Sequence, residues 1–387
     1  MINWIIVNSS KYDDLLFGIP GMSHHKIRTL VVDDSVFYRG ILGDTLKKMS
    51  QVEYLGNAAN GKLALAKIEE SPPDLITLDV EMPGMNGIEV LQKVKENFPD
   101  IQVVMISAAT QESAENTIEA LNQGALDFIL KPTGGDQEAN ERQLYRELRK
   151  IVSIVETKII LKRGKGIDPS IQNDSPIPAG ETDYENLWVE NTGEIDIVAI
   201  GVSTGGPQAL PEVLNKLPKS FSVPIIIVQH LPALFVSVLV NSLNLKSNLK
   251  VVEVRENLPL KAGVVHIAPG EFHTKIVMKP GVDVPVATLT KDPPENFCRP
   301  SVDYMFRSLA EVYRGKVLAV IMTGMGKDGT AGMKLLKSYG ATTIAQDEAT
   351  SVVFGMPMEA INAGVVDQIL PLKKIGDAVT QRVRNAN

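Results

Sequence analysis

Residues 198–210 read VAIGVSTGGPQAL: an apolar run, a glycine-rich turn and a helix start. A strand passing into a helix through so tight a turn is the building unit of a parallel α/β sheet. The same turn serves two chemistries. Backbone N–H groups at the helix start can cradle a phosphate, or the turn can lift Ser203 toward solvent as a nucleophile. A dinucleotide fingerprint requires G-x-G-x-x-G and an acidic residue about 20 positions further on. Here residues 201–206 are GVSTGG, so Ser203 stands where the second glycine must be, and the next strand ends in Gln229-His230. No P-loop Gly-Lys-Ser/Thr is present either. The nucleophile reading, Gly201-x-Ser203-x-Gly205 with Pro207 suited to the first helical position, is the stronger one.

A serine nucleophile needs a base within hydrogen-bond reach and a carboxylate to orient that base. His230 ends the next strand, PIIIVQH, and reaches the same sheet edge; the chain has five histidines, of which His266 and His273 fall in an irregular stretch. Two carboxylates are placed to serve, Asp328 after KVLAVIMTG and Asp347 after ATTIAQ, and spacing does not separate them. The order Ser…His…Asp also differs from the Ser…Asp…His of α/β-hydrolases. Taken singly, Ser203 reads equally well as a helix cap, His230 as a core histidine and Asp328 as a turn former. Together, at successive strand ends, they point to acyl-transfer chemistry.

Working outward, a βα series begins at Ile195 and runs through IDIVAIG, VPIIIVQH, KVLAVIMTG, ATTIAQ and VVDQIL. Shorter pieces within 250–295 (KVVEV, GVVHIAP, TKIVM) suggest antiparallel edge structure. Residues 163–194 lose periodicity and gain Gly, Pro, Asn and Ser, a linker composition in which Trp188 reads as an anchor. Before it, from Ile27, five strand-like runs alternate with helical patterns, which implies a second parallel sheet covered on both faces. The expected organisation is an extension over 1–26, one α/β domain over 27–162, a linker over 163–194 and a doubly wound, mostly parallel α/β domain over 195–387. His24 and His25 have no further ligand at useful spacing.

The first domain carries an acidic site. Ligands bind beyond the carboxyl ends of parallel strands. Asp33 and Asp34 end the first strand, Asp79 the third, Ser107 follows the fourth, and Lys131 ends the fifth before Pro132. Three carboxylates together repel one another unless a cation lies among them, and a hard ion such as Mg²⁺ suits oxygen ligands. A lysine and a hydroxyl opposite it would hold the oxygens of a phosphoryl group.

The 387 residues exceed one ordinary core, and the net charge of −7 argues against a general nucleic-acid surface. The single cysteine, Cys298, excludes an intrachain disulfide, suits a reducing cytosol and reads as a buried inert thiol. No stretch approaches the roughly 18–20 apolar residues of a membrane span.

Two resemblances rest on these motifs. LVVDDS, LITLDVEMPGMNGIEVL, MISA and GALDFILKP resemble the response-regulator receiver domain. That resemblance implies a five-stranded flavodoxin-like sheet, Asp79 as phosphoacceptor, and Asp33 and Asp34 with Asp79 as Mg²⁺ ligands. It further implies Ser107 and Lys131 as readers of the phosphoryl group, Phe128 as the switch aromatic, and a histidine kinase as phosphodonor. IGVSTGGPQAL, VQHLP, APGEFH, RPSVDYMFRSLA, VIMTGMGKDG and AQDEATSVVFGMP resemble the catalytic domain of the chemotaxis protein-glutamate methylesterase (CheB) family. This implies Ser203 as nucleophile, His230 as base, Asp328 as orienter, Thr204 in support and the Met325 N–H as oxyanion donor, with Asp347 structural. The activity implied is demethylation of glutamate methyl esters on chemoreceptor helices, with deamidation of glutamines, under control of the receiver and without an esterase cofactor. Cytoplasmic placement at receptor arrays follows, with no nucleic-acid partner and no membrane insertion. The alternative is a response regulator whose second domain only binds or scaffolds.

Overall fold

The computed structural model describes residues 26–132, 134, 136–164 and 193–386. The readings of residues 1–25, including His24 and His25, and of Trp188 lie outside the described residues. In the first half, β1 (Ile27–Val32), β2 (Val52–Ala58), β3 (Leu75–Asp79), β4 (Gln102–Ser107) and β5 (Asp127–Leu130) alternate with five helices. These are α1 (Val36–Lys47), α2 (Gly61–Glu70), α3 (Gly87–Asn97), α4 (Gln111–Asn122) and α5 (Gln137–Gly164). The strands pair parallel in the order β2-β1-β3-β4-β5. Local sequence sets the helix starts. The Ser35 hydroxyl accepts the Tyr38 N–H at the head of α1, and Asn86 and Glu89 form a reciprocal capping box at α3. Leu144, Leu148, Ile151 and Val155 put one buried stripe of α5 on the sheet.

The second half contains β6 (Ile197–Val202), β7 (Ile225–Gln229), β8 (Lys250–Glu253), β9 (Leu258–Pro259) and β10 (Val264–Ile267). After these come β11 (His273–Val277), β12 (Val286–Thr290), β13 (Val317–Ile321), β14 (Thr342–Gln346) and β15 (Gln368–Leu370). Its helices are α6 (Gly206–Leu214), α7 (Ala233–Lys246), α8 (Val302–Tyr313), α9 (Thr330–Ser338), α10 (Met356–Asn362) and α11 (Leu372–Ala386). A seven-stranded sheet runs β15-β14-β13-β6-β7-β10-β8, all pairs parallel, beside a small antiparallel sheet β11-β12-β9. One expectation is corrected here. KVVEV and GVVHI are not antiparallel edge pieces but the parallel strands β8 and β10 of the main sheet; of the three pieces only TKIVM is antiparallel. Four-residue strands are too short for their apolar pattern to reveal direction.

The two halves pack against each other, with α4 facing α6 and α7. Phe128 at the end of the first sheet stacks on Phe235 of α7, ring centroids 4.4 Å apart. Gln208 Nε2 of α6 donates to the Ala125 carbonyl (2.8 Å), and Val352 and Val353 lie against the core of the first half.

Candidate active site

β6 has β13 on one side and β7 on the other, so the chain leaves it in opposite directions and a crevice opens at its carboxyl end. Ser203 follows β6, His230 follows β7, and Asp328 lies in the turn after β13. The glycines after Ser203 are needed for two different reasons. Gly205 has φ 84°, the left-handed region, and a Cβ there would stand 2.6 Å from the Val352 Cβ. A Cβ on Gly206 would fall 1.7 Å from Gln229 Oε1. The facing strand end comes equally close, since a Cβ on Gly324 would meet the Ser203 Cβ at 2.7 Å. The peptide of Met325 is thereby held beside Ser203. Among the described residues its N–H makes no backbone hydrogen bond, while the Gly324 carbonyl accepts from Gly355 (3.0 Å) and Met356 (2.8 Å).

His230 Nε2 lies 2.8 Å from Asp328 Oδ2. That carboxylate is buried at the head of α8, where Oδ2 accepts the Val302 N–H (2.7 Å) and Oδ1 the Asp303 N–H (3.1 Å). Oδ1 also accepts from the Ser301 hydroxyl (2.8 Å) and Asn296 Nδ2 (3.0 Å). Burial alone would raise the Asp328 pKa, but His230 and the two backbone donors outweigh it and bring it to about 2. The positive end of the helix acts in the same sense. For His230 burial disfavours the charged ring, yet the hydrogen bonds to Asp328 and Cys298 and their charges raise its pKa to about 9. Asp347 is elsewhere: its carboxylate accepts from the Thr350 N–H (3.0 Å) and hydroxyl (2.5 Å). His266 bonds the Ile225 carbonyl, and His273 bonds Pro293 and Ser301 while stacking on Tyr304.

Three features escaped the sequence. Cys298 is not a buried core thiol. It is half-buried, and its sulfur lies 3.7 Å from His230 Nδ1, the ring nitrogen that Asp328 does not hold. No hydrogen bond joins the Ser203 hydroxyl to that nitrogen among the described residues. Asn296 is the second, its Nδ2 bridging Asp328 and Asp303. The third is Asp127 of β5, which accepts from the Thr204 hydroxyl at 2.7 Å, across the boundary between the halves. Burial raises the pKa of this carboxyl. Ser301 ahead of an apolar-periodic run was readable as a helix cap; the contacts of Cys298 and Asp127 are tertiary and left no local trace.

In the first half the switch point falls between β1 and β3. Carboxylate oxygens of Asp33, Asp34 and Asp79 gather within 4.8 Å of one another. Lys131 Nζ lies 2.8 Å from Asp79 Oδ2 and 3.1 Å from Asp33 Oδ2, and 4.6 Å from the centroid of the Tyr38 ring. Burial first, and Asp33 in addition, push the Asp79 pKa up to about 6 against the pull of Lys131. Asp33 Oδ2 is buried with the Lys131 ammonium as its ionic neighbour and makes no hydrogen bond of standard geometry among the described residues, and the gathering of three carboxylates there suits a hard cation. Ser107 is turned into a neighbouring hydroxyl network, 2.8 Å from Thr117 Oγ1 and 3.2 Å from Ser113 Oγ. Phe128, expected as a switch aromatic, is the residue stacked on Phe235.

Family models agree with both halves. The model described as response regulator receiver domain matches residues 29–140, and that described as CheB methylesterase matches residues 198–379. A protein-glutamate methylesterase/protein-glutamine glutaminase of Desulfotalea psychrophila is 43% identical over 362 residues, covering 92% of this chain and 99% of the relative. The chain belongs to this family. A relative of the same name from Trichodesmium erythraeum is 41% identical, with 92% and 99% covered. The CheB methylesterase catalytic domain of Thermotoga maritima, a crystal structure, is 43% identical over 49% of this chain and 98% of its own, at a TM-score of 0.47. No helix among the described residues is long and apolar enough to cross a membrane.

Proposed function

We propose that this chain hydrolyses glutamate methyl esters on the helices of chemoreceptors, and deamidates glutamines there, under control of phosphorylation at Asp79. The observation that carries the reading is the convergence of Ser203, His230 and Asp328 on one switch-point crevice in a chain of the methylesterase family. Asp328 occupies Nε2, so Nδ1 is the nitrogen that takes the Ser203 proton. Ser203 Oγ then bonds the ester carbonyl carbon, the Met325 N–H holds the oxyanion, and the proton returns from His230 to the methoxy group as methanol leaves. Water, deprotonated at the same nitrogen, cleaves the acyl-serine and leaves a free glutamate. With glutamine the leaving group is ammonia. An oxyanion donor of this kind is worth about 10²–10³ in kcat.

In the proposed domains 27–162 and 195–387, joined by the linker, the receiver covers the Thr204 side of the crevice through Asp127, Phe128 and Ala125. Asp33, Asp34 and Asp79 fit Mg²⁺, which when bound supplies charge neutralisation for the phosphoryl group; Lys131 pairs with that group, and Ser107 must turn out of its hydroxyl network to reach it. A histidine kinase is the proposed donor, and receptor arrays in the cytoplasm the place of action. The test is incubation with methyl-labelled receptor membranes, scoring released methanol with and without a phosphodonor. Stimulation by the phosphodonor is expected to vanish in Asp79→Asn and in chelator, while the basal rate persists. A variant D79N that is still stimulated would remove Asp79 from the reading.

The protonation of His230 makes a second prediction. A base with a pKa of about 9 is mostly protonated at neutral pH. Since only the neutral ring accepts a proton, basal kcat/KM is expected to climb about tenfold per pH unit between pH 6 and 8 and to level near 9. Cys298→Ala removes one of the groups that favour the charged ring, so it shifts the rise toward lower pH. A flat profile over that window would contradict the assignment of the base.

A further inference from the structure

Residues 295–298, ENFC, form a tight turn closed by two backbone bonds, Glu295 N–H to the Cys298 carbonyl (3.0 Å) and Cys298 N–H to the Glu295 carbonyl (2.8 Å). Both central residues are left-handed, Asn296 at φ 51° and Phe297 at φ 63°. Such turns favour Asn followed by Gly, because a bulky residue with positive φ is strained. Asn296 fits the preference; Phe297 violates it. The ring also gains nothing from burial, being 103% exposed.

The backbone carrying this strained aromatic is held through its neighbours. Arg307 grips Glu295 through two bonds of 2.6 and 2.5 Å, Asn296 bridges Asp303 and Asp328, and Cys298 lies against His230 Nδ1. The turn is thus braced on the very groups that set the proposed triad, and its apex residue Phe297 precedes Cys298, whose sulfur lies 3.7 Å from His230 Nδ1. Local strain held in place by its surroundings marks a position kept for function. On the Ser203 side of the same crevice Met325 is 40% exposed. Phe297, next to Cys298, and Met325, next to Gly324, are thus exposed uncharged side chains on the two segments that reach His230 and Ser203. The ring is fully open with the receiver packed in place, so the receiver does not compete for it.

We propose that Phe297 is a specificity-determining residue: its ring docks on an apolar side chain of the receptor helix next to the modified glutamate and positions the ester carbonyl for Ser203. The apolar rim suits a neutral methyl ester or amide and disfavours the carboxylate product, which aids its release. This rests on the methylesterase reading. The test uses the full chain and methyl-labelled receptor membranes over a range of receptor concentrations. Removing one apolar contact is expected to raise KM about tenfold in Phe297→Ala and Phe297→Gly, with kcat within about twofold, while Phe297→Trp keeps KM near the wild-type value. Phe297→Gly also relieves the left-handed strain and should melt no lower than wild type. An unchanged KM in F297G beside an active wild-type chain overturns this proposal alone. A loss of kcat at constant KM also overturns it, since the turn would then act through Cys298 and His230. A wild-type chain releasing no methanol overturns the methylesterase reading and this proposal with it.

Discussion

Ser203→Ala is expected to lower kcat for methanol release by about 10⁴–10⁶, with KM for receptor nearly unchanged. The size follows from the proposed chemistry, in which Ser203 supplies the attacking oxygen and the neighbouring Thr204 does not. Thr204, the next residue, donates its hydroxyl to Asp127 and is committed there. The substitution removes one oxygen and no structural hydrogen bond among the described residues, so the folded state should be retained. Melting at the wild-type temperature with the activity gone is the expected pair of results. Activity within tenfold of wild type would eliminate Ser203 as nucleophile.

Asp328→Ala is expected to damage both activity and stability. The carboxylate pairs with His230 and accepts from Asn296, Ser301, Val302 and Asp303. Without it two backbone N–H groups at the head of α8 and two side-chain donors lose their acceptor, at 2% exposure of the parent residue. Breaking such a buried pair costs roughly 3–5 kcal/mol. Asp328→Asn preserves shape but presents a donor where donors already converge, and misaligns the imidazole; kcat should fall about 10³–10⁴. Urea melts of the two variants separate the effects, since D328N loses less stability than D328A while both lose activity. Equal activity of D328N and wild type would remove Asp328 as the orienter.

The strand ends were readable because a parallel sheet places them on one edge whatever the loops do. LITLD and IIIVQ are buried throughout, and the polar residues that end or directly follow them, Asp79 and His230, stand out against the apolar run. This is why Asp79 and His230 could be picked from sequence. Asp328 and Asp347 were not separable by spacing, since β13 and β14 are neighbours and both loops open on the same edge. Only the tertiary position of α8, whose first N–H groups collect Asp328, distinguishes them. Cys298 defeated the reading for the opposite reason. A lone cysteine in an irregular stretch has a core position as its default, and the turn that carries it to His230 relies on left-handed residues other than glycine. Ser107 met expectation in place but not in direction, because a strand-end hydroxyl can bond either its own following helix or the cluster across the crevice.

If the receiver acts as proposed, the Thr204–Asp127 hydrogen bond contributes a calculable share of the switch's gain. A bond to a carboxylate contributes about 1.5–3 kcal/mol, and each 1.4 kcal/mol is roughly tenfold in a two-state population. By itself this one contact would give the proposed switch a dynamic range of about ten- to a hundredfold, and the Phe128–Phe235 stack would add to it. The amplifier is therefore adjustable at a single atom pair. On the proposed reading, a lineage needing a steeper or shallower response can obtain it at Asp127, whose partner Thr204 adjoins Ser203.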